Sequence, residues 1–342
     1  MRFGRSLLGT LSLALGACSV VYGDKLSRLD SEQVDGGASP DAPLDAPADG
    51  AAAADAGCDA CAGVVVVGDL KQPGAVAVDD ANVYWIEEGY APMRVRACAL
   101  GGCVAPVELG VGTSTGIATD GAFVYWADVP SGVLSACHTA GCSLSPTVIA
   151  TGQDQIEGPV FDGTELAWST SLTGGAVRAC TASSCAAPAV LATNQGFVVW
   201  LAAQGGTVAW STTTGIQACK GGGCGGAPTI LAASSRVPVA IGANVVVWPR
   251  DDGTVVAHPV SDGAETVLGR TPKPTSLTTD GVTAYWYDDQ DGAIYGAPLD
   301  GTAAAPVALA RGVKQARQGA GLVARGPWLY VATATAIRKV AR

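Results

Sequence analysis

Tryptophan spacing constrains this chain more than any other feature. Seven of its eight tryptophans, Trp85, Trp126, Trp168, Trp210, Trp248, Trp286 and Trp328, follow one another at intervals of 41, 42, 42, 38, 38 and 42 residues. Around each lies a variant of one pattern, best seen in Thr115 to Cys142 (TGIATDGAFVYWADVPSGVLSACHTAGC). Self-similarity at this period, with short apolar runs and turn residues inside each unit, is the mark of four-stranded blades set around an axis. The expected fold is all-β: a seven-bladed β-propeller with four-stranded blades.

Within the unit, Gly116 to Thr119 reads as the inner strand and Asp120-Gly121 as a tight hairpin turn, the Asp-Gly pair supplying positive backbone angles. Ala122 to Ala127 follows as the second strand, Gly132 to Cys137 as the third and Pro146 to Ala150 as the fourth. The tryptophan strands are almost continuously apolar, as in Asn82-Val83-Tyr84-Trp85, which suits strands covered on both faces by neighbouring blades. Val64 to Leu70 has the character of a fourth strand, whereas the last unit stops after a third, Ala336 to Arg342. The N-terminal strand is therefore expected to complete the seventh blade, so that the ring closes without an open edge.

Ahead of the repeats stand Arg2 and Arg5, an apolar run from Leu7 to Leu15, and Leu15-Gly16-Ala17-Cys18. This order describes an export signal, too short to span a bilayer. The Leu-Gly-Ala-Cys ending resembles the bacterial lipobox. That resemblance implies cleavage after residue 17, acylation of Cys18 and a membrane partner through the lipid anchor. Ser19, where inner-membrane retention would call for Asp, points to the outer membrane of a Gram-negative cell envelope. Residues 18–62 are rich in Ala, Asp, Pro and Gly and read as a disordered tether. The tether carries nine acids and two bases, net −7; with +2 for the signal and −10 overall, −5 remains for residues 63–342, the propeller domain. Such a balance lacks the basic face of nucleic-acid binders.

With Cys18 set aside, ten cysteines fall into the pairs Cys58/Cys61, Cys98/Cys103, Cys137/Cys142, Cys180/Cys185 and Cys219/Cys224. In an exported chain an even set of this kind reads as disulfides. The four wider pairs flank hairpins between third and fourth strands. Zinc is disfavoured because successive pairs belong to different blades, and a c-type haem because Ala62 stands where histidine is required. We expect no metal and no cofactor.

The residues offer little catalytic chemistry. Gly112-Thr113-Ser114-Thr115-Gly116 matches a nucleophile-elbow pattern, but it joins an outer to an inner strand instead of a strand to a helix. The only histidines, His138 and His258, belong to peripheral strands and hairpins. Acids following the tryptophan strands (Glu87-Glu88, Asp128, Asp251-Asp252, Asp288 to Gly292) bring calcium to mind, yet Tyr287 and Pro298 stand where a calcium loop needs Asp and Glu. They read as solvated hairpin tips. No catalytic residue is assigned.

The eighth tryptophan, Trp200, breaks a row of small or polar residues at the start of the inner strands (Ala75, Gly116, Gly158, Pro238, Ser276, Gln318). It is expected at the channel mouth, near loops bearing Gln72, Gln153, Asp154, Gln195, Arg236, Lys273, Lys314 and Arg317. We take Trp200, Gln195, Gln153, Asp154, Arg236, Lys273 and Arg317 as the candidate ligand-binding set, an aromatic platform among polar groups. Filling of a central void is the alternative role for Trp200.

The segments Tyr84-Trp85-Ile86-Glu87, Tyr125-Trp126-Ala127-Asp128 and Tyr285-Trp286-Tyr287-Asp288 resemble the repeat of the YWTD-type propellers, with an NHL-like periodicity. The resemblance spans residues 63–342 and implies a non-enzymatic binding or interaction module with a protein or glycan partner. It departs from that family in Ala167-Trp168-Ser169-Thr170 and Val247-Trp248-Pro249-Arg250, and in having seven units where six are usual. A saccharide or lactone lyase or hydrolase at the channel mouth is the competing expectation, and a purely structural envelope component is a third.

Overall fold

The computed structural model describes residues 62–342 apart from 114–115, 172–173, 182–184, 186, 221–222, 234–235 and 317–320. The expectations placed on Cys18, Cys58, Cys61, Ser114 and Arg317 lie outside the described residues. The first blade is built from β2 (Pro73–Val78), β3 (Asn82–Glu87), β4 (Arg94–Ala99) and β5 (Val107–Val111), with β1 (Val64–Val67) lying ahead of it. Blade 2 uses β6 (Ile117–Thr119), β7 (Phe123–Asp128), β8 (Val133–His138) and β9 (Thr147–Ala150). Blade 3 uses β10 (Ile156–Phe161), β11 (Glu165–Thr170), β12 (Ala176–Thr181) and β13 (Ala189–Thr193). Blade 4 uses β14 (Val198–Gln204), β15 (Thr207–Thr212), β16 (Ile216–Lys220) and β17 (Thr229–Ala232). Blade 5 uses β18 (Ala240–Gly242), β19 (Val245–Pro249), β20 (Thr254–Pro259) and β21 (Thr266–Arg270). Blade 6 uses β22 (Pro274–Thr279), β23 (Thr283–Asp288), β24 (Ala293–Pro298) and β25 (Val307–Ala310), and blade 7 β26 (Leu322–Arg325), β27 (Trp328–Ala332) and β28 (Ile337–Ala341). Each forms a four-stranded antiparallel meander, and the last is completed by β1 in the order β1-β28-β27-β26. The chain is a seven-bladed β-propeller closed by pairing its N-terminal strand with its C-terminal one.

Apolar clusters between blades hold the ring together. Seven such clusters occur, one at each junction, and Trp85, Trp126, Trp168, Trp210, Trp248 and Trp286 lie in six of them at 0–1% exposure. Blade 7 differs from the expected pattern. Leu322 pairs with Val331 just as Ile117 pairs with Trp126 and Leu277 with Trp286, so Val331 is the counterpart of the repeat tryptophan. Trp328 sits three residues earlier, at the start of β27, half-buried beneath the Lys339 ammonium 4.7 Å from its ring. Its interval of 42 residues is a coincidence of spacing. Tyr287 reaches into this junction from blade 6, its hydroxyl donating to the Val313 carbonyl at 3.0 Å.

The hairpin turns also depart from expectation. Gly121, Gly163 and Gly281 have φ near +90°, but the aspartate before each does not share the positive angle. Its carboxylate instead caps a three-residue loop. Asp120 Oδ1 accepts the Ala122 and Phe123 N–H groups at 2.8 and 2.6 Å, and Oδ2 accepts the Tyr125 hydroxyl at 2.7 Å. Asp79 with Tyr84 and Asp280 with Tyr285 repeat the clamp. The mirror-image turn that the Asp-Gly pairs were expected to make is found at Gly205-Gly206 and Ala243-Asn244, where both residues have positive φ.

Burial first, then the bond to aspartate, pushes the Tyr84 and Tyr125 phenols above their ordinary range. A phenol that ionises later in the folded than in the unfolded chain stabilises fully below the unfolded value of about 10 and loses that contribution as pH rises past it. Thermal midpoints are therefore expected to fall above about pH 10, and less steeply in Tyr125→Phe, which gives up about 1 kcal/mol at neutral pH. An identical alkaline profile in the variant counts against the clamp.

Cys98–Cys103, Cys137–Cys142, Cys180–Cys185 and Cys219–Cys224 are disulfides, with Cα atoms 5.1–5.4 Å apart, closing the third-to-fourth-strand hairpins of blades 1 to 4. A six-residue closed loop is worth about 2 kcal/mol by the chain-entropy relation. Replacing Cys137 and Cys142 together by alanine is expected to lower stability by that amount in denaturant titration.

The rim is protected by irregularity. Each of the seven outer ladders, from Val95/Arg96 in blade 1 to Val65/Val67 in blade 7, carries a register shift. Bulges twist exposed edges out of line with an incoming strand.

Candidate functional site

Antiparallel order within the blades decides which loops share a face. Inner strands begin, and second strands end, on one face, called here the upper face. The hairpin tips carrying Asp79, Asp120 and Asp280 and the disulfides belong to the opposite face.

Acids ending the second strands serve the upper face as clamps. The buried Glu87 accepts the Lys71 N–H at 2.6 Å and pairs with Arg96 at 3.1 Å. Asp128 accepts the Thr113 hydroxyl at 3.0 Å, and the fully buried Asp288 accepts the Lys273 N–H at 2.6 Å and those of Gln290 and Asp291 at 3.0 and 3.2 Å. These three were expected to be solvated hairpin tips. They are instead committed to the loop that enters the same blade, because a buried carboxylate must be hydrogen-bonded.

Two of the proposed ligand residues are occupied in the same way. Gln153 Oε1 accepts the Trp168 indole N–H at 3.1 Å, and Gln195 Oε1 that of Trp210 at 2.9 Å. Val111 O and Thr271 Oγ1 do so for Trp126 and Trp286, always from the fifteenth residue upstream. Both glutamines cap the core, and their Nε2 groups bond the carbonyls of Thr151 and Thr193. Asp154 is exposed in the loop entering blade 3 and does not line the cleft described next.

Trp200, Arg236 and Lys273 do come together. They line one upper-face cleft of about 270 Å³, formed by the loops entering blades 5 and 6 and the Pro249 to Gly253 turn, with Trp200 of β14 at its inner end. Pro238, Pro249, Pro272 and Pro274 stiffen the walls, since each fixes its own φ. Trp200 is half-buried: it packs on the junction of blades 4 and 5, and it also lines a small void of about 60 Å³ beside Gly116 and Gly158. It therefore packs between blades as well as lining the cleft. Arg236 is held at φ +59° by its N–H bond to the Thr212 carbonyl, 3.0 Å away. Positive φ in a non-glycine residue costs about 1–3 kcal/mol and collects at functional sites.

The central channel is chemically plainer. Its cavity of about 330 Å³ is walled by all seven inner strands, through residues such as Val76, Ile117, Leu201 and Ile241, and among the described residues no charged side chain lines it. Both histidines are engaged elsewhere. The His138 ring packs edge-on to Phe123, and the His258 ring stacks on Trp248. Among the described residues, no three His, Cys, Asp or Glu side chains gather as a metal site.

The proline walls and Thr275 were not anticipated. The signal was in the sequence, since Pro238, Pro249, Pro272 and Pro274 all fall at strand ends or in loops of two consecutive blades.

No protein-family model matches the chain, and no curated protein matches it. Among solved structures it is similar to the computationally designed Ika8 protein (15% identity, 79% of this chain and 83% of that one, TM-score 0.55). A chain of the nidogen/laminin complex aligns at 16% identity over 67% and 76% of the two chains, with TM-score 0.41. Apo AztD from Citrobacter koseri aligns at 12% identity over 75% and 79%, with TM-score 0.48. At these identities the likeness to Ika8 is one of fold.

Proposed function

We propose that this protein is an exported, lipid-anchored β-propeller that acts as a non-enzymatic binding module, capturing a glycan or protein partner on its upper face. The observation that carries the reading is the meeting of Trp200, Arg236 and Lys273 around one rigid-walled cleft. An aromatic face among a few placed polar groups is the usual composition of a ligand site. Four disulfides support export, because such bonds persist in oxidising compartments. Leu15-Gly16-Ala17-Cys18 supports acylation at Cys18, and the Ala/Asp/Pro-rich residues 18–62 would hold the disc away from the membrane, which we take to be the outer one.

Two experiments test the proposal. Metabolic labelling with a fatty acid should mark the wild-type chain and not Cys18→Ala; equal labelling removes the anchor. Screening the full chain against an envelope-glycan array should yield ligands that Trp200→Ala binds about 30-fold less well, the loss typical of a central tryptophan. Undiminished binding by that variant removes the cleft from the reading.

A further inference from the structure

We infer that the cleft is built for a ring that carries a carboxylate, such as the uronic acid of an acidic saccharide. This rests on the reading of the cleft as the binding site and goes further by naming the ligand's chemistry.

Charge is the first argument. Residues 63–342 carry a net −5, yet this cleft is lined by Arg236, Arg250 and Lys273 against the single carboxylate of Asp251. Two of those cations are already spoken for: Arg250 pairs with Glu265, and Lys273 Nζ lies 2.7 Å from Asp289. Arg236 has no ion-pair partner among the described residues. It is exposed, and its backbone is set at positive φ by the bond to Thr212. A guanidinium presents a planar fork that fits a carboxylate with two parallel hydrogen bonds.

The walls supply the second argument. Trp200 offers an aromatic face, and the prolines beside it have no N–H to satisfy, so that part of the cleft suits the apolar face of a ring. An apolar surface beside an unpaired guanidinium suits a ring with a carboxylate substituent.

Isothermal titration of the full chain with tetragalacturonate, its methyl ester and indole-3-acetate separates the possibilities. The proposal expects tetragalacturonate to bind, the methyl ester to bind roughly tenfold or more weakly, and Arg236→Gln to erase that difference with its melting temperature unchanged. Binding of indole-3-acetate alone, lost in Arg236→Gln, keeps the carboxylate-bearing ring and assigns it to an aromatic acid. Equal affinity for acid and ester, with both lost in Trp200→Ala, overturns the charge inference while leaving the cleft as a binding site. Failure of both acids to bind overturns the inference outright.

Discussion

A chain shortened to begin at Gly68 is expected to lose about 5 kcal/mol of stability and to self-associate. The loss has two sources. Val67 is 4% exposed and packs with Leu70, Trp85 and Ile337 at the junction of blades 7 and 1, a burial worth about 1.5–3 kcal/mol. The ladder of β1 on β28, through Val64↔Lys339, Val65↔Arg338 and Val67↔Ile337, adds hydrogen bonds of about 1 kcal/mol each. Removing the strand also uncovers β28 as an edge ready to pair with another chain. Denaturant unfolding and size-exclusion chromatography read both effects. A shortened chain as stable as the parent and monomeric would show that closure does not depend on β1.

The second large effect is expected from Trp126→Ala, at about 3–5 kcal/mol. The indole is fully buried between blades 1 and 2, and its N–H donates to the Val111 carbonyl at 2.9 Å. Chain curls so closely around it that a Cβ at Gly110 or Gly112 would stand 2.8 or 2.5 Å from the ring. A cavity at this place could not collapse easily. Trp328→Ala supplies the contrast. Because Trp328 is half-buried under Lys339 and outside the repeat register, its loss is expected to cost about 1 kcal/mol. Equal losses in the two variants would contradict the assignment of Val331 as the seventh blade's counterpart.

That comparison also shows how far the sequence could be read. Tryptophan spacing, apolar second strands and the unpaired first and last strands all express the same need, which is to bury both faces of every blade in a closed ring. They were legible because that need acts at every repeat. Trp328 misled because spacing records distance along the chain, whereas register depends on loop length, and the last unit begins its second strand at the tryptophan itself. Turn chemistry misled in a similar way: Asp-Gly can form a two-residue turn, but the aspartate carboxylate takes the N–H groups two and three residues on and so caps a three-residue loop, with or without a tyrosine beyond it. Gln153 and Gln195 looked available because their partners, indoles fifteen residues downstream, are brought near only by folding. Trp200 stood out because it broke a row of small residues, and Arg236 and Lys273 joined it because blades 5 and 6 are neighbours.

Charge at the clamps gives the acid limb of the pH dependence. Burial works to raise the Asp280 carboxyl, but the Thr283 and Val282 N–H groups, the Tyr285 hydroxyl and Arg342 outweigh it and hold it below the ordinary range. Its contribution is present above the unfolded value of about 3.9 and lost as pH falls through the lower folded one.

Hydrogen exchange of the full chain with and without tetragalacturonate tests the central claim most directly, because it locates bound ligand on one face or the other. The account predicts added protection at 236–238, 249–253 and 272–275. Protection confined to the opposite face, around Phe123 and Phe161, or none with either this ligand or indole-3-acetate, would contradict it.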